Sequence, residues 1–299
     1  MEKLLFGDNQ FFGVNHMSEE KARAHAMRFQ SLDAVMEVLT TAYDEGVKTF
    51  MCTTHDRVEE ICERVRANPE RFPDFIFYPC MPYAHKYANA ATEDGVLGAI
   101  KRVAPQGNLL GTVFRGGMSL ATKDVEGIVR LLVDAEMKMF HGLKTPVVFL
   151  QNVIVDFLLG LGLTQTFRYF ADYVSDRYNA EPGFITMNTP MLLDALEKVG
   201  IENPIICSNI NKIGFRMCGG VESYEKILRE RNFRAVAMSV FASGAISPEE
   251  AISWVCSLPN IKSIVFGASS RRNIQSTKQL VQKYWPISIE GVTPGAERG

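Results

Sequence analysis

A short apolar run near residue 267, SIVFGASSRRN, breaks into a glycine, two serines, two arginines and an asparagine just as a helical pattern begins. That combination suits an anion. Gly267 has no Cβ to hinder a phosphate approaching backbone N–H groups. Ser269 and Ser270 can cap the helix or donate to phosphate oxygens. Arg271 or Arg272 can form charge-assisted bonds, and Asn273 closes the stretch. Two arginines in a first helical turn oppose the helix dipole unless an anion lies beside them. The plainer alternative is a Ser-capped surface helix with two solvated arginines.

Polar residues also gather where other apolar runs end. GDNQ supplies Asp8, Asn9 and Gln10, and CTTHD supplies Cys52, Thr54, His55 and Asp56. Further along come His85 and Lys86, Arg115, Gln151 and Asn152, Asn188, then Ser208, Asn209 and Asn211. His55 is the first choice for a general acid or base, with Asp8 or Asp56 as its orienting partner, although a lone loop histidine is more often structural. Asn9, Gln10, Thr54, Arg115, Gln151, Asn152, Asn188 and Asn209 are the candidate substrate contacts. Amides offer both donor and acceptor, which suits a ligand rich in hydroxyl or carbonyl groups. Some of them will only cap the helices that follow. Asp8, His16, His55 and His85 are metal-ligand types, but no HxH or HExxH spacing joins them, so no metal is assigned. Cys52 and Cys80 lie near run ends as nucleophiles or, more commonly, buried strand thiols. The strand cores hold no lysine for an imine mechanism.

These residues need elements to hold them at one end of a fold. Short β-rich runs alternate with helical patterns, which implies parallel strands, crossover helices and an α/β architecture. In SLDAVMEVLTTAYDEG the apolar residues share one helical face, Ser31 is placed to cap the start, and Gly46 ends it. SPEEAISWV has Ser247 as N-cap, Pro248 at the first helical position and Glu250 three residues after the cap. Nine candidate strands compete for the eight places of a (β/α)₈ TIM barrel, with LLFGD or LLGTVF as the surplus. A doubly wound sheet would show a glycine-rich turn after its first strand, and FGDNQFFG lacks GxGxxG. The expected organisation is a single barrel domain over residues 1–287 and a polar tail over 288–299. Carboxyl ends of barrel strands are where catalysis sits, and the loops after strands seven and eight commonly bind phosphate.

The last third, AVAMSVFASGAISPEEAISWVCSLPNIKSIVFGASSRRNIQST, resembles the closing stretch of the aldo-keto reductase superfamily. GFITMNTP and PIICSNINKIGF are similar to its two preceding strands. The resemblance implies a TIM barrel, with residues 267–273 gripping the adenosine phosphate of NADP(H). The reductases of that family donate a proton from an Asp, Tyr, Lys and His set. Here the Asp position holds Cys52, TTHDRVEEI offers no Tyr, FIFYPCMPY ends without the Lys, and Gln151 stands where the His is expected. The function this implies is a divergent aldo-keto reductase-like barrel enzyme acting on a small polar or phosphorylated metabolite, its reaction type open. The alternative is a non-catalytic descendant serving as ligand sensor or assembly subunit.

Composition narrows the partners. The 299 residues carry 32 basic and 34 acidic side chains for a net charge of −2, which points to neither a nucleic-acid nor a membrane surface. The longest apolar stretch, PVVFLQNVIVDFLLGLGL, is interrupted by Gln151, Asn152 and Asp156 and reads as buried strand plus apolar extension. Six cysteines show no CxxC pair and no disulfide-scaffold spacing, and the N-terminus carries no export signal. The expected setting is the cytoplasm, with reduced thiols.

Overall fold

The computed structural model describes residues 1–13, 18–83 and 122–285. Eight parallel strands close into a barrel in chain order: β1 (Leu4–Gly7), β2 (Thr49–Thr53), β3 (Ile76–Met81), β4 (Val147–Leu150), β5 (Glu181–Thr186), β6 (Ile205–Asn209), β7 (Arg234–Met238) and β8 (Ile261–Phe266). Closure is made by β1, which pairs Phe6 with Phe50 of β2 and Leu5 with Val265 of β8. LLFGD therefore supplies the first barrel strand and is not surplus. LLGTVF lies outside the described residues, and the barrel closes from the other eight runs.

Ten α-helices surround the barrel among the described residues: α1 (Glu19–Arg28), α2 (Leu32–Asp44), α3 (Asp56–Arg66), α4 (Thr122–Met137), α5 (Asn152–Leu161), α6 (Gln165–Tyr178), α7 (Thr189–Lys198), α8 (Gly220–Glu230), α9 (Pro248–Ser257) and α10 (Arg271–Tyr284). The caps expected from the sequence form. Ser31 accepts the N–H of Ala34, and Ser247 accepts that of Glu250, both at 3.3 Å. The Glu250 carboxylate, however, takes the Lys212 ammonium at 2.7 Å. No helix among the described residues is long and apolar enough to cross a membrane.

Strand alternation sorts side chains into two layers. Leu5, Met51, Tyr78, Phe149, Ile185 and Cys207 belong to one cluster inside the barrel, while Phe6, Phe50, Cys52, Phe77, Phe184 and Ile206 pack under the helices. Gly183 shows how tightly the interior is filled. A Cβ there would lie 2.5 Å from the Phe149 ring, so the ring of one strand occupies the side-chain space of its neighbour. After β1 the chain makes a short 3₁₀ turn (Asn9–Phe12), anchored by the buried Phe11 against Phe29, ring centroids 5.0 Å apart, and against Phe6 and Phe50. This anchor fixes Asp8 and Gln10 at the barrel mouth.

Candidate active site

Three strand ends meet around one carboxyl group. Asp8 follows β1 and is only 6% exposed. Its Oδ2 accepts both the backbone N–H and the Oγ1 hydroxyl of Thr53, each at 2.7 Å. Thr53 shares the inward face of β2 with Met51. Burial pushes the Asp8 carboxyl above the usual carboxylate range, and the bonds from Thr53 only partly oppose it.

Tyr83, just past β3, belongs to the same quarter of the mouth. Burial raises its phenol first, and the nearby charges of Asp8 and Asp56 add to that. The Tyr83 ring lies 5.4 Å from that of His55, which in turn stacks on Phe12 at 4.4 Å. Sequence reasoning missed Tyr83 because it searched for a tyrosine after β2. The available signal was the phenol in CMPY at the end of an apolar run.

His55 sits at the N-cap of α3, where its Nδ1 accepts the N–H of Arg57 at 3.0 Å. A neutral ring so held carries its proton on Nε2. Asp8, one of the two expected orienting partners, accepts the Thr53 hydroxyl at Oδ2, and Asp56, the other, is exposed at the first position of α3. Cys52 faces the helix layer and Cys80 the barrel interior; burial holds both thiols well above the ordinary range, which disfavours the thiolate. All six cysteines are free.

At the end of β8 the helix start is largely satisfied by the protein itself. Ser270 caps α10 by accepting the N–H of Asn273 at 3.3 Å. Arg271 pairs with Glu45 at the end of α2, and Gln275 donates to the same carboxylate at 3.0 Å. The pair accounts for one of the two first-turn arginines without any bound anion. Arg272 and Asn273 are exposed, and Arg272 makes no ion pair with a described residue. Gly267 is exposed, but its missing Cβ serves a neighbour: a Cβ there would fall 2.3 Å from Gln10 Oε1. Gln10 is buried, with Nε2 bonded to the Gly7 carbonyl at 2.8 Å and Oε1 without a partner among the described residues. Ser269 is half-buried. The loop after β7 bends through left-handed Ser239, Ala242, Ser243 and Gly244.

Two of the other amides bond to the chain. Asn188 caps α7 by accepting the N–H of Met191 at 3.3 Å. Asn209 is buried and donates to Met187 Sδ at 2.8 Å and to the Arg216 carbonyl at 3.1 Å. Gln151 and Asn152 open α5, Asn9 is exposed, and Thr54 is buried with no partner for its hydroxyl among the described residues. His16, His85, Lys86 and Arg115 lie outside the described residues. Two cavities formed by described residues, of about 410 and 440 Å³, lie elsewhere, and His55 lines neither. Asp156, which the sequence offered only as an interruption, accepts the Thr186 hydroxyl at 2.5 Å and the Met187 N–H at 3.1 Å, tying α5 to the end of β5.

Comparison with solved structures places this architecture. A Pseudomonas aeruginosa protein classed with the aldo-keto reductases superposes with a TM-score of 0.58 at 11% identity, covering 95% of this chain and 90% of its own. A thermostable aldo-keto reductase solved with the inhibitor epalrestat gives 0.57 at 12% identity, with 94% and 90% coverage. An aldo-keto reductase from a Medee basin deep-sea metagenome library gives 0.54 at 10% identity, with 100% and 97% coverage. No family model matches the sequence, and no curated protein does. The fold is an aldo-keto reductase-like TIM barrel.

Proposed function

We propose that the protein is an enzyme acting on a small polar metabolite at the β1–β3 quarter of the barrel mouth, by proton transfer at a carbonyl- or hydroxyl-bearing carbon. The observation that carries this reading is the buried Asp8 carboxyl at a strand end, its affinity for a proton raised, with the Thr53 hydroxyl bonded to it. Tyr83 beside it keeps its proton and is suited to donate a hydrogen bond to a developing oxyanion. His55, whose Nδ1 is engaged, acts through Nε2.

A phosphate or NADP(H) at the β8 end belongs to the same proposal. The first N–H groups of α10, Arg272 and Asn273, together with the left-handed loop after β7, fit a phosphate group, whereas Arg271 is committed to Glu45. NADP(H), when bound, would supply hydride chemistry. With the reductase tetrad missing, the purified protein is expected not to reduce simple aldehydes with NADPH at the rates of reductases of this fold. The test is thermal-shift screening with NADPH, NADH and sugar phosphates, followed by turnover of the hits by wild type and by Asp8→Asn. Loss of turnover by two or more orders of magnitude is expected, the usual weight of a general acid. Undiminished turnover in Asp8→Asn would sink the assignment.

One observation favours the second reading, a non-catalytic ligand sensor or assembly subunit. The Ser270 cap and the Arg271–Glu45 pair satisfy the β8 end without an anion. In that case ligands would shift the melting temperature and none would turn over.

A further inference from the structure

The loop after β6 is built around two buried amides. Asn211 is fully buried. Its Oδ1 accepts the Phe215 N–H at 2.8 Å, its Nδ2 donates to the Phe215 carbonyl at 2.9 Å, and its own N–H reaches Met217 Sδ at 3.4 Å. Asn209 grips the Arg216 carbonyl and Met187 Sδ, and the Cys218 N–H donates to the Met187 carbonyl at 3.2 Å. This bracing holds Arg216 at a φ of +55°, a backbone region unfavourable for a residue with a Cβ. Its side chain is exposed, 5.5 Å from the Phe215 ring, and makes no ion pair with a described residue. Arg216, Met187, Met217, Gly214 and Cys218 line the open cavity of about 440 Å³, a volume within the range of small-molecule sites.

We infer that this cavity binds a small organic carboxylate with an apolar body. Arg216 would take the carboxylate and the two thioethers the hydrocarbon, whose irregular shape the polarisable methionines accommodate. The left-handed arginine is the decisive feature. A loop that only had to connect β6 to α8 could place glycine there, as it does at 214 and 219. The site lies on the β5–β6 ends and is independent of the proton-transfer reading at β1–β3.

Cys218 provides a reporter, because it is exposed while Cys52, Cys62, Cys80 and Cys207 are buried and Cys256 is only partly accessible. Alkylation at Cys218 is followed by peptide mass spectrometry with iodoacetate and with neutral iodoacetamide, each rate divided by that for free cysteine. Wild type is expected to favour the anionic reagent by about three- to tenfold, the scale of a partly solvated charge contact. Arg216→Gln should return the ratio to that of free cysteine, and Arg216→Lys should keep most of it. Benzoate should protect Cys218 saturably, benzamide should not, and formate should protect less than benzoate. A wild-type ratio equal to that of free cysteine, or equal protection by benzoate and benzamide, would overturn the site. Formate protecting as well as benzoate would overturn the apolar half of the claim. Should Arg216→Gln fail to fold, the wild-type protection experiments decide alone.

Discussion

Replacing Asp8 separates its hydrogen-bonding role from its charge. Both bonds from Thr53 end on one oxygen, Oδ2. In Asp8→Asn the amide oxygen can occupy that position and keep both, while the uncharged group no longer resists burial. In Asp8→Ala the Thr53 N–H and hydroxyl lose their acceptor, at a cost of about 2–4 kcal/mol for one stranded amide and one hydroxyl able to turn elsewhere. The pH dependence has a definite sign. Burial raises the folded-state affinity for protons above that of an ordinary carboxylate, so between the ordinary and the higher folded pKa the native state binds more protons than the unfolded chain. Stability contributed at this site therefore falls as pH rises through that window and is constant beyond it. Asp8→Asn has no such loss, so its stability relative to wild type should improve with rising pH. Urea unfolding of the three proteins from pH 4 to pH 8 measures this. An Asn variant as unstable as the Ala variant would refute the geometry, and a relative stability that worsens with pH would refute the desolvated carboxyl.

Gly183→Ala should cost about 1–3 kcal/mol in chemical denaturation, as overpacking usually does, and Phe149→Leu in the same chain should recover part of it. Arg272→Ala should weaken NADPH or sugar-phosphate binding by about 1.5–3 kcal/mol, whereas Arg271→Ala should cost stability of at most about 1 kcal/mol through its pair with Glu45 and leave affinity unchanged; calorimetric titration of both distinguishes them. Cys52→Asp should destabilise by about 3–5 kcal/mol at neutral pH and less in acid, seen in melts across pH, because position 52 is fully buried.

The barrel was legible because its signals are local and repeated. Runs such as TFMCT and PIICS are short, apolar and separated by helical periodicity, and Ser31 and Ser247 mark helix starts by a mechanism that needs only four residues. What the runs could not state was closure. LLFGD reads as a strand but is too brief to be given a place in the barrel until its pairing with both β2 and β8 is known. The site was less legible for a related reason. A strand-end asparagine looks the same in sequence whether it faces a ligand or braces a loop, and only the structure shows Asn188 and Asn209 bonded to the chain. Gly267 likewise reads as room for phosphate, and only tertiary contact reveals Gln10 in that space. Tyr83 and Asp156 carry no motif at all. Their partners lie on other strands or beyond a helix, where spacing along the chain holds no information.

Position 52 and Asp8 are electrostatically linked. Residue 52 points into the helix layer among phenylalanines, and its thiol feels the Asp8 charge. A carboxylate at 52 would add a second negative charge to a buried region, and the proton affinity of one of the two groups would rise further. A neutral side chain at 52 spares Asp8 that repulsion. Thr53, at the next, inward-facing position, supplies the N–H and the hydroxyl that Asp8 accepts. The proposed acid–base chemistry from β1 and β3 therefore directs substitution experiments to Asp8, Thr53 and Tyr83 first.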